Sequence, residues 1–577
     1  MRTLFVSITV SFLAAAFLLA QEGERTITTT DGQTLRGVVM NEGSTDLQLR
    51  EAGGKIRLLR KVDGGRYRMV TSQKDWPTYN GEPGGNRYST LTQIDKNNVA
   101  KLAPAWIFPL GPVTQIENTP LVVEGVMYVS SANEVWALDA GSGRQVWHYR
   151  RPRTQGITGN AAIGFNRGVA WEGERIFLLT DNAHLLALSR TNGELLWETT
   201  MADSKQNYNG TSAPLTANGL VISGTAGGDE GVRGFVAAYD QATGKEAWKF
   251  WTVPSPGQPG AQEVENTWQG ANKEHRSGAT WMTGTYDAAL GLLYWPVGNP
   301  GPDYDGSDRL GDNLYTDCVI ALDVKTGALK WYYQFTPHDI HDWDAQEPPV
   351  LVDTNWRGTP RKLLIQANRN GFFYVLDRTN GQFLLGKQFL KKLNWAEGIG
   401  ADGRPIMKDL PKNPDGTTYV CPGFQGGANW FSTSFNPATG LYYFNSLERC
   451  NNFSITKGEW QAGRGFMGGA GRPVPGETFD KFLRAIDIQT GEVKFEIPQV
   501  SRDQTASGGV ISTAAGIVFY TENSGAFIAA DAATGKSLWQ FQTNQVWKAS
   551  PMTYQFDGKQ YVAVAAGQNI LSFAIQE

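Results

Sequence analysis

A hairpin-like phrase recurs along this chain, and nothing else in the sequence restricts the fold as strongly. A small residue, an apolar residue and usually Asp are followed by turn residues, a Gly, three more residues and an aromatic or apolar closer. The phrase reads Ala137-Leu138-Asp139 to Gly143 and Trp147, then Ala187-Leu188 to Gly193 and Trp197, then Ala238-Tyr239-Asp240 to Gly244 and Trp248. It returns as Ala321-Leu322-Asp323 to Gly327 and Trp331, Val375-Leu376-Asp377 to Gly381, Ala485-Ile486-Asp487 to Gly491 and Phe495, and Ala530-Asp531 to Gly535 and Trp539. Asp and Gly close a tight turn between two strands, and a Trp can lie flat between neighbouring sheets. One such unit cannot bury both faces, so units stack, and the expected fold is all-β: a propeller of Trp-closed sheets. The longer steps from Trp248 to Trp331 and from Gly381 to Phe495 hold insertions and degenerate hairpins, at Tyr286–Gly291 and Phe435–Gly440. Insertions of this kind belong to loops on one face, where a ligand would sit.

Composition agrees with many short strands: of 577 residues, 19% are charged, 11% aromatic and 67 are Gly. The net charge of −4, with no Lys/Arg run, excludes a nucleic-acid binder. Met1 and Arg2, the apolar stretch Leu4–Ala20 and the polar residues after it read as a secretory signal over residues 1–20, with an uncleaved anchor as the rival reading. No segment after it is apolar enough to span a membrane. Residues 21–72 alternate polar and apolar positions around Gly-containing turns, as in Thr34–Val39 and Asp46–Leu49, and suggest a small β module. The main domain is expected over 73–577. In an exported chain, Cys318, Cys421 and Cys450 most simply give one disulfide and one free thiol.

Function must come from residues outside the repeat. In Pro337-His338-Asp339-Ile340-His341-Asp342-Trp343-Asp344, residues two apart on an extended segment face one way, so Asp342 and Asp344 can converge on a hard cation. A solvated loop is the plainer reading. Gly298-Asn299-Pro300 holds an amide oxygen in a rigid turn, and Gly227-Gly228-Asp229-Glu230 sets two carboxylates in a bend whose glycines admit a flat ligand. Trp281 stands outside the closing positions, as core or as a platform for a planar group. Arg167 and Arg369 are candidate cations.

Together, Asp75-Trp76-Pro77-Thr78-Tyr79, the Trp-closed repeats, Asn166-Arg167-Gly168, Gly231-Val232-Arg233-Gly234, Gly298-Asn299-Pro300 and Pro337-His338-Asp339 resemble, in order, the pyrroloquinoline quinone (PQQ)-dependent methanol and ethanol dehydrogenases. The resemblance runs from about residue 75 onward. It implies an eight-bladed propeller, a periplasmic location, and oxidation of a small alcohol to an aldehyde by hydride transfer to PQQ, with one metal ion, Ca2+ or a lanthanide. By position it implies Trp281 under the quinone rings, with Glu117, Arg167, Thr211, Gly227, Gly228, Asn429 and Trp430 as further cofactor contacts. Arg369 would stand beside the quinone carbonyls. Asp229, Asn299, Asp342 and Asp344 would hold the metal, with Asp342 as general base, and Asp344 resembles the extra aspartate of lanthanide-using members. The interval between Cys421 and Cys450 resembles a family disulfide, which leaves Cys318 free. Four positions depart from the pattern: Ala161-Ala162 replaces an adjacent cysteine pair, Asp229 a glutamate and Ala279 a threonine, and no Gly-Trp pair follows Ala566-Gly567-Gln568. No Cys-X-X-Cys-His occurs, so electrons would leave through a separate acceptor such as a periplasmic c-type cytochrome. The alternative is a cofactor-free propeller with a binding or envelope-scaffold role.

Overall fold

The computed structural model describes residues 24–113, 116–269, 273–500 and 508–576. The expected signal, residues 1–20, lies outside the described residues. The chain divides into two units between Val70 and Thr71. In the first, Glu24–Thr28, Thr34–Glu42, Asp46–Glu51, Ile56–Val62 and Arg66–Met69 pair in sequence order as one antiparallel sheet. A bridge from Thr29 to Tyr67 brings the first strand back to the last. Their inward side chains, Ile27, Leu35, Leu47, Leu49, Leu59 and Tyr67, make a core, as the alternating pattern requires.

Among its described residues the second unit contains eight sheets of four or five strands, in which all the long pairings are antiparallel. Five are drawn from consecutive strands within 121–150, 170–200, 215–251, 285–334 and 350–388. A sixth, within 434–498, is interrupted by a small sheet of Thr418–Val420, Asn451–Ile455 and Gly469–Pro473. The seventh, within 510–542, adds Tyr88–Ser89 at one edge. The eighth joins Met552–Phe556, Lys559–Ala566 and Asn569–Ile575 to Leu102–Pro109, taken from far earlier in the chain.

The recurring phrase builds the turn between the third and fourth strands. Asp139 Oδ1 accepts the N–H groups of Gly141 and Ser142 at 2.8 and 3.1 Å, and Gly143 takes a left-handed φ of +70°, which favours Gly. Asp240, Asp323 and Asp531 cap their turns alike. The closing indoles then reach the next sheet: the Nε1 atoms of Trp147, Trp197, Trp248 and Trp331 donate to the carbonyls of Arg190, Gln241, Val324 and Arg378. Each ring lies on the next phrase's Gly, where a Cβ would meet it at 2.5 to 2.7 Å. Trp106, in the borrowed strand, donates to Ala140 O and covers Gly143. It is the closer that links the eighth sheet to the first.

Tyr286–Gly291 and Phe435–Gly440 are hairpins of another kind, joining the first strand of a sheet to its second. The extra chain lies at 252–284, 297–317, 389–433 and 449–479, between second and third strands or between one sheet and the next. In an antiparallel sheet both kinds of connection leave from the same end. Among the described residues no helix is long and apolar enough to cross a membrane.

Candidate active site

The loops entering successive sheets are tied into one rim. Thr119 N donates to Arg167 O at 3.1 Å, Arg167 N to Thr211 O at 2.9 Å, Thr280 N to Thr225 O at 2.9 Å and Gly298 N to Ala279 O at 2.8 Å. Glu117, Arg167, Thr211, Trp281, Asn429 and Trp430 each stand a few residues before the first strand of a sheet. Asp229, Asn299 and Arg369 stand between a second and a third strand. These loops border a cavity of about 430 Å3. All the expected cofactor contacts line it, together with Asp229, Asp342, Asp344 and Arg369. Asn299 is not part of that lining; it is buried, its backbone N–H donating to Asp344 Oδ1 at 3.0 Å.

One wall is aromatic and cationic. The Arg167 guanidinium pairs with Glu117 at 2.8 Å and lies over the rings of Trp281 and Trp430, 4.8 and 4.3 Å from their centroids. Its Nε and Nη1 have no hydrogen-bond partner although buried, and neither has Asn209 Oδ1, also on the cavity. Unsatisfied buried donors are rare. Guanidinium donors beside an indole face suit a flat, multiply carboxylated ring system such as PQQ. The bend at Gly227 (φ +109°) is close-packed, for a Cβ there would meet Asn207 O at 2.6 Å. Asn429 closes its own loop, its Nδ2 donating to Gln425 O at 2.8 Å.

Another part of the lining is acidic. Asp339 clamps the turn that carries the carboxylates, its two oxygens accepting His341 N at 2.9 Å and Trp343 N at 2.7 Å. Trp343 is fully buried, donates to Gly423 O at 3.0 Å and stacks on His341. Asp342 and Asp344 both line the cavity, but from a turn and not from the extended segment expected, for Asp342 has a left-handed φ of +62°. Arg369 bridges them: Nη1 donates to the Asp342 carbonyl at 2.7 Å and lies 3.3 Å from its Oδ1, while Nη2 lies 3.1 Å from Asp344 Oδ2. Trp281 Nε1 donates to the same Asp344 oxygen at 3.2 Å.

Burial is the main influence on these acids. It pushes Asp342 well above the usual carboxylate range, against the opposing pull of Arg369, with Asp229 and Asp344 adding repulsion. Asp344 is pushed up to about 6 by burial, against the pull of Arg369 and with Asp229 adding repulsion, and Glu230 to about 8 by burial and the charge of Asp229. Among the described residues no three carboxylate, imidazole or thiolate groups stand at metal-holding spacing; here Arg369 takes up the charge of Asp342 and Asp344. The donors themselves are all oxygen, three carboxylates and an amide, which is the chemistry a hard cation requires.

The departures are placed as follows. Ala161 and Ala162 end a short helix, Gly159–Ala162, whose carbonyls bind Arg153, and Gly159 and Asn160 border the cavity. The Glu230 carboxylate lies against Gly159. Ala279 is buried. The carbonyls of Gly567 and Gln568 accept from Ile116 and Leu110, beside Glu117. Cys421 and Cys450 are joined in a disulfide and Cys318 is free and buried. Sequence reading missed Phe424, Gln425 and Met467, which line the cavity from the insertions, and Asp303, whose carboxylate accepts from Asn299. No motif marked the first three; only burial distinguishes Asp303 from a turn residue.

A family model described as PQQ, "Glucose/ethanol/alcohol dehydrogenase, beta-propeller domain", matches residues 76–386 and 494–562. The chain is 36% identical over 511 residues to quinohemoprotein alcohol dehydrogenase ADH IIB of Pseudomonas putida, covering 85% of this chain and 73% of that protein. It is 34% identical over 522 residues to a 1-butanol dehydrogenase (cytochrome c) of Thauera butanivorans, covering 85% and 71%. A solved europium-containing methanol dehydrogenase superposes with a TM-score of 0.80 at 29% identity, covering 87% of this chain and 98% of that one.

Proposed function

The chain belongs to the PQQ-dependent alcohol dehydrogenase β-propeller family, and from that membership we propose a periplasmic enzyme that oxidises an alcohol to an aldehyde with Asp342 as general base. It is an alcohol oxidoreductase of the quinoprotein class. The eight sheets count as eight blades, preceded by a small β module and, before that, a signal peptide.

The observation that carries the reading is the convergence of Trp281, Asp342, Asp344 and Arg369 on one cavity. Trp281, Arg167, Glu117, Thr211, Asn429, Trp430 and the Gly227-Gly228 bend would hold PQQ. Asp229, Asn299, Asp342 and Asp344 would hold one hard cation, calcium or a lanthanide. When bound, the quinone supplies a two-electron acceptor and the cation a Lewis acid.

The chain's own part is positioning and proton transfer. The substrate hydroxyl gives its proton to an Asp342 oxygen, which must stand within hydrogen-bond reach of it. Arg369 donates to the Asp342 backbone carbonyl at 2.7 Å and lies 3.3 Å from its carboxylate, which supports the base on the guanidinium side. Phe424, Met467 and Trp430 contribute apolar surface to the cavity lining. Similarity to a 1-butanol dehydrogenase (cytochrome c) and to a europium-containing methanol dehydrogenase supports an external cytochrome acceptor and a calcium or lanthanide ion.

The test is to load the full chain with PQQ and either calcium or lanthanum and to follow dye reduction by a panel of alcohols, with Asp342→Asn as control. Turnover that needs both additions and is lost in the variant is expected. A chain that takes up neither quinone nor ion is a cofactor-free binding propeller instead.

A further inference from the structure

Asp303 has no part in the roles assigned above. It is 1% exposed, and its Oδ1 accepts the side-chain N–H of Asn299 at 2.8 Å. The same amide nitrogen also donates to Pro300 O at 3.3 Å. An asparagine has two amide hydrogens, so its donor end is fully engaged and the carbonyl oxygen is the end left for another partner. The orientation is not interchangeable: turning the amide over would set its oxygen against Pro300 O, which can only accept.

Asp303 is itself braced. The carbonyl before it, on Pro302, accepts from the buried Arg309 at 3.0 Å, and Arg309 also donates to Asp339 O at 2.7 Å. Asp339 is the residue whose carboxylate clamps the Asp342 turn. On the other side, Tyr304 N donates to the carbonyl of Met467, a cavity-lining residue, at 2.8 Å, and Tyr304 OH reaches Asp342 Oδ2 at 3.5 Å. The segment that orients Asn299 is thus tied at both ends to the segment that carries Asp342.

We propose that Asp303 is a positioning residue, holding Asn299 with its amide oxygen turned to the cation site. This rests on the reading of the cavity as a quinone-and-cation site.

Asp303→Asn can still offer an oxygen to Asn299, whereas Asp303→Leu and Asp303→Ala cannot. The full chain and each variant, loaded with PQQ, would be dialysed against calcium and, separately, lanthanum, and bound metal measured by mass spectrometry. The Asn variant should bind within about fivefold of the unsubstituted chain. The Leu and Ala variants should bind about 10–100-fold more weakly, the usual effect of losing a residue that orients a ligand. In an Asn299→Ala background the Asp303 substitutions should change affinity no further. Equal losses in the Asn, Leu and Ala variants would mean that Asp303 acts by charge alone and would overturn the proposal, as would a further loss in the Asn299→Ala background. If the unsubstituted chain binds PQQ and metal while no variant differs from it, Asp303 alone is wrong. If it binds neither, the dehydrogenase reading falls and takes this one with it.

Discussion

Asp342 sits in the left-handed backbone region, at φ +62°, which costs a non-glycine residue about 1–3 kcal/mol and persists only where neighbours enforce it. The Asp339 clamp, the buried Trp343 and the grip of Arg369 do the enforcing. Asp342→Asn keeps the backbone contacts and removes the base together with one negative charge of the proposed cation site. It should retain quinone, read from its absorbance, while kcat falls about 10²–10⁴-fold, the usual weight of a general base; unaltered kcat would remove Asp342 from that role. A neighbouring acid gives a pH signature. Glu347 is fully buried, neither of its oxygens has a partner, and burial pushes it up to about 8 despite Arg369. The folded chain keeps a proton there that the unfolded chain gives up near the ordinary value of 4.5. The stability tied to that proton is complete below 4.5 and is lost as pH rises toward 8. Melting temperatures of the native chain and Glu347→Gln should therefore diverge with rising pH, the variant gaining most at pH 9. A gap that stays constant from pH 5 to 9 would contradict this.

The element that repeats is a turn plus an indole, and its energy lies mostly in the indole. Trp248 is buried against the next sheet, bonded to Val324 O at 3.0 Å and pressed on Gly327. Trp248→Ala should cost about 3–5 kcal/mol through the cavity it leaves, measurable as a lowered urea midpoint. A loss below 1 kcal/mol would mean that the sheets are not held by their closers. This element also explains what could be read in advance. Seven phrases were legible because the Gly, the Asp of six of them and the closing Trp of five are fixed by local geometry at fixed offsets. The eighth closer, Trp106, was not, because its strand precedes every copy of the phrase and joins Asn569–Ile575, which carries no Asp-Gly turn of its own. Within the site, the charged run around Asp342 and the glycine bend at Asp229 announced themselves by composition. Asp303 did not, since Gly301-Pro302-Asp303 reads as an ordinary turn, and the residues around it are fixed by Arg309, bonded to Pro302 O, and by the distant Met467, whose carbonyl accepts from Tyr304 N.

At the scale of the whole second unit, the ring of contacts is completed by strands from opposite regions of the chain. Leu102–Pro109 pairs with Asn569–Ile575, and Ile94 N donates to Gln560 Oε1 across 466 positions. Deleting residues 569–577 should therefore abolish cooperative melting in calorimetry and not merely lower its midpoint; a single sharp transition in the shortened chain would show that closure is dispensable. The same pairing sets a timetable. Synthesis at 5–20 residues per second leaves Leu102–Pro109 waiting on the order of half a minute to a minute and a half for its partner. A strand with a free edge is an invitation to aggregate. This one carries Pro104 and Pro109, neither of which can donate to a foreign strand, so the nascent protein protects its unfinished seam with residues that the finished protein tolerates at a sheet margin.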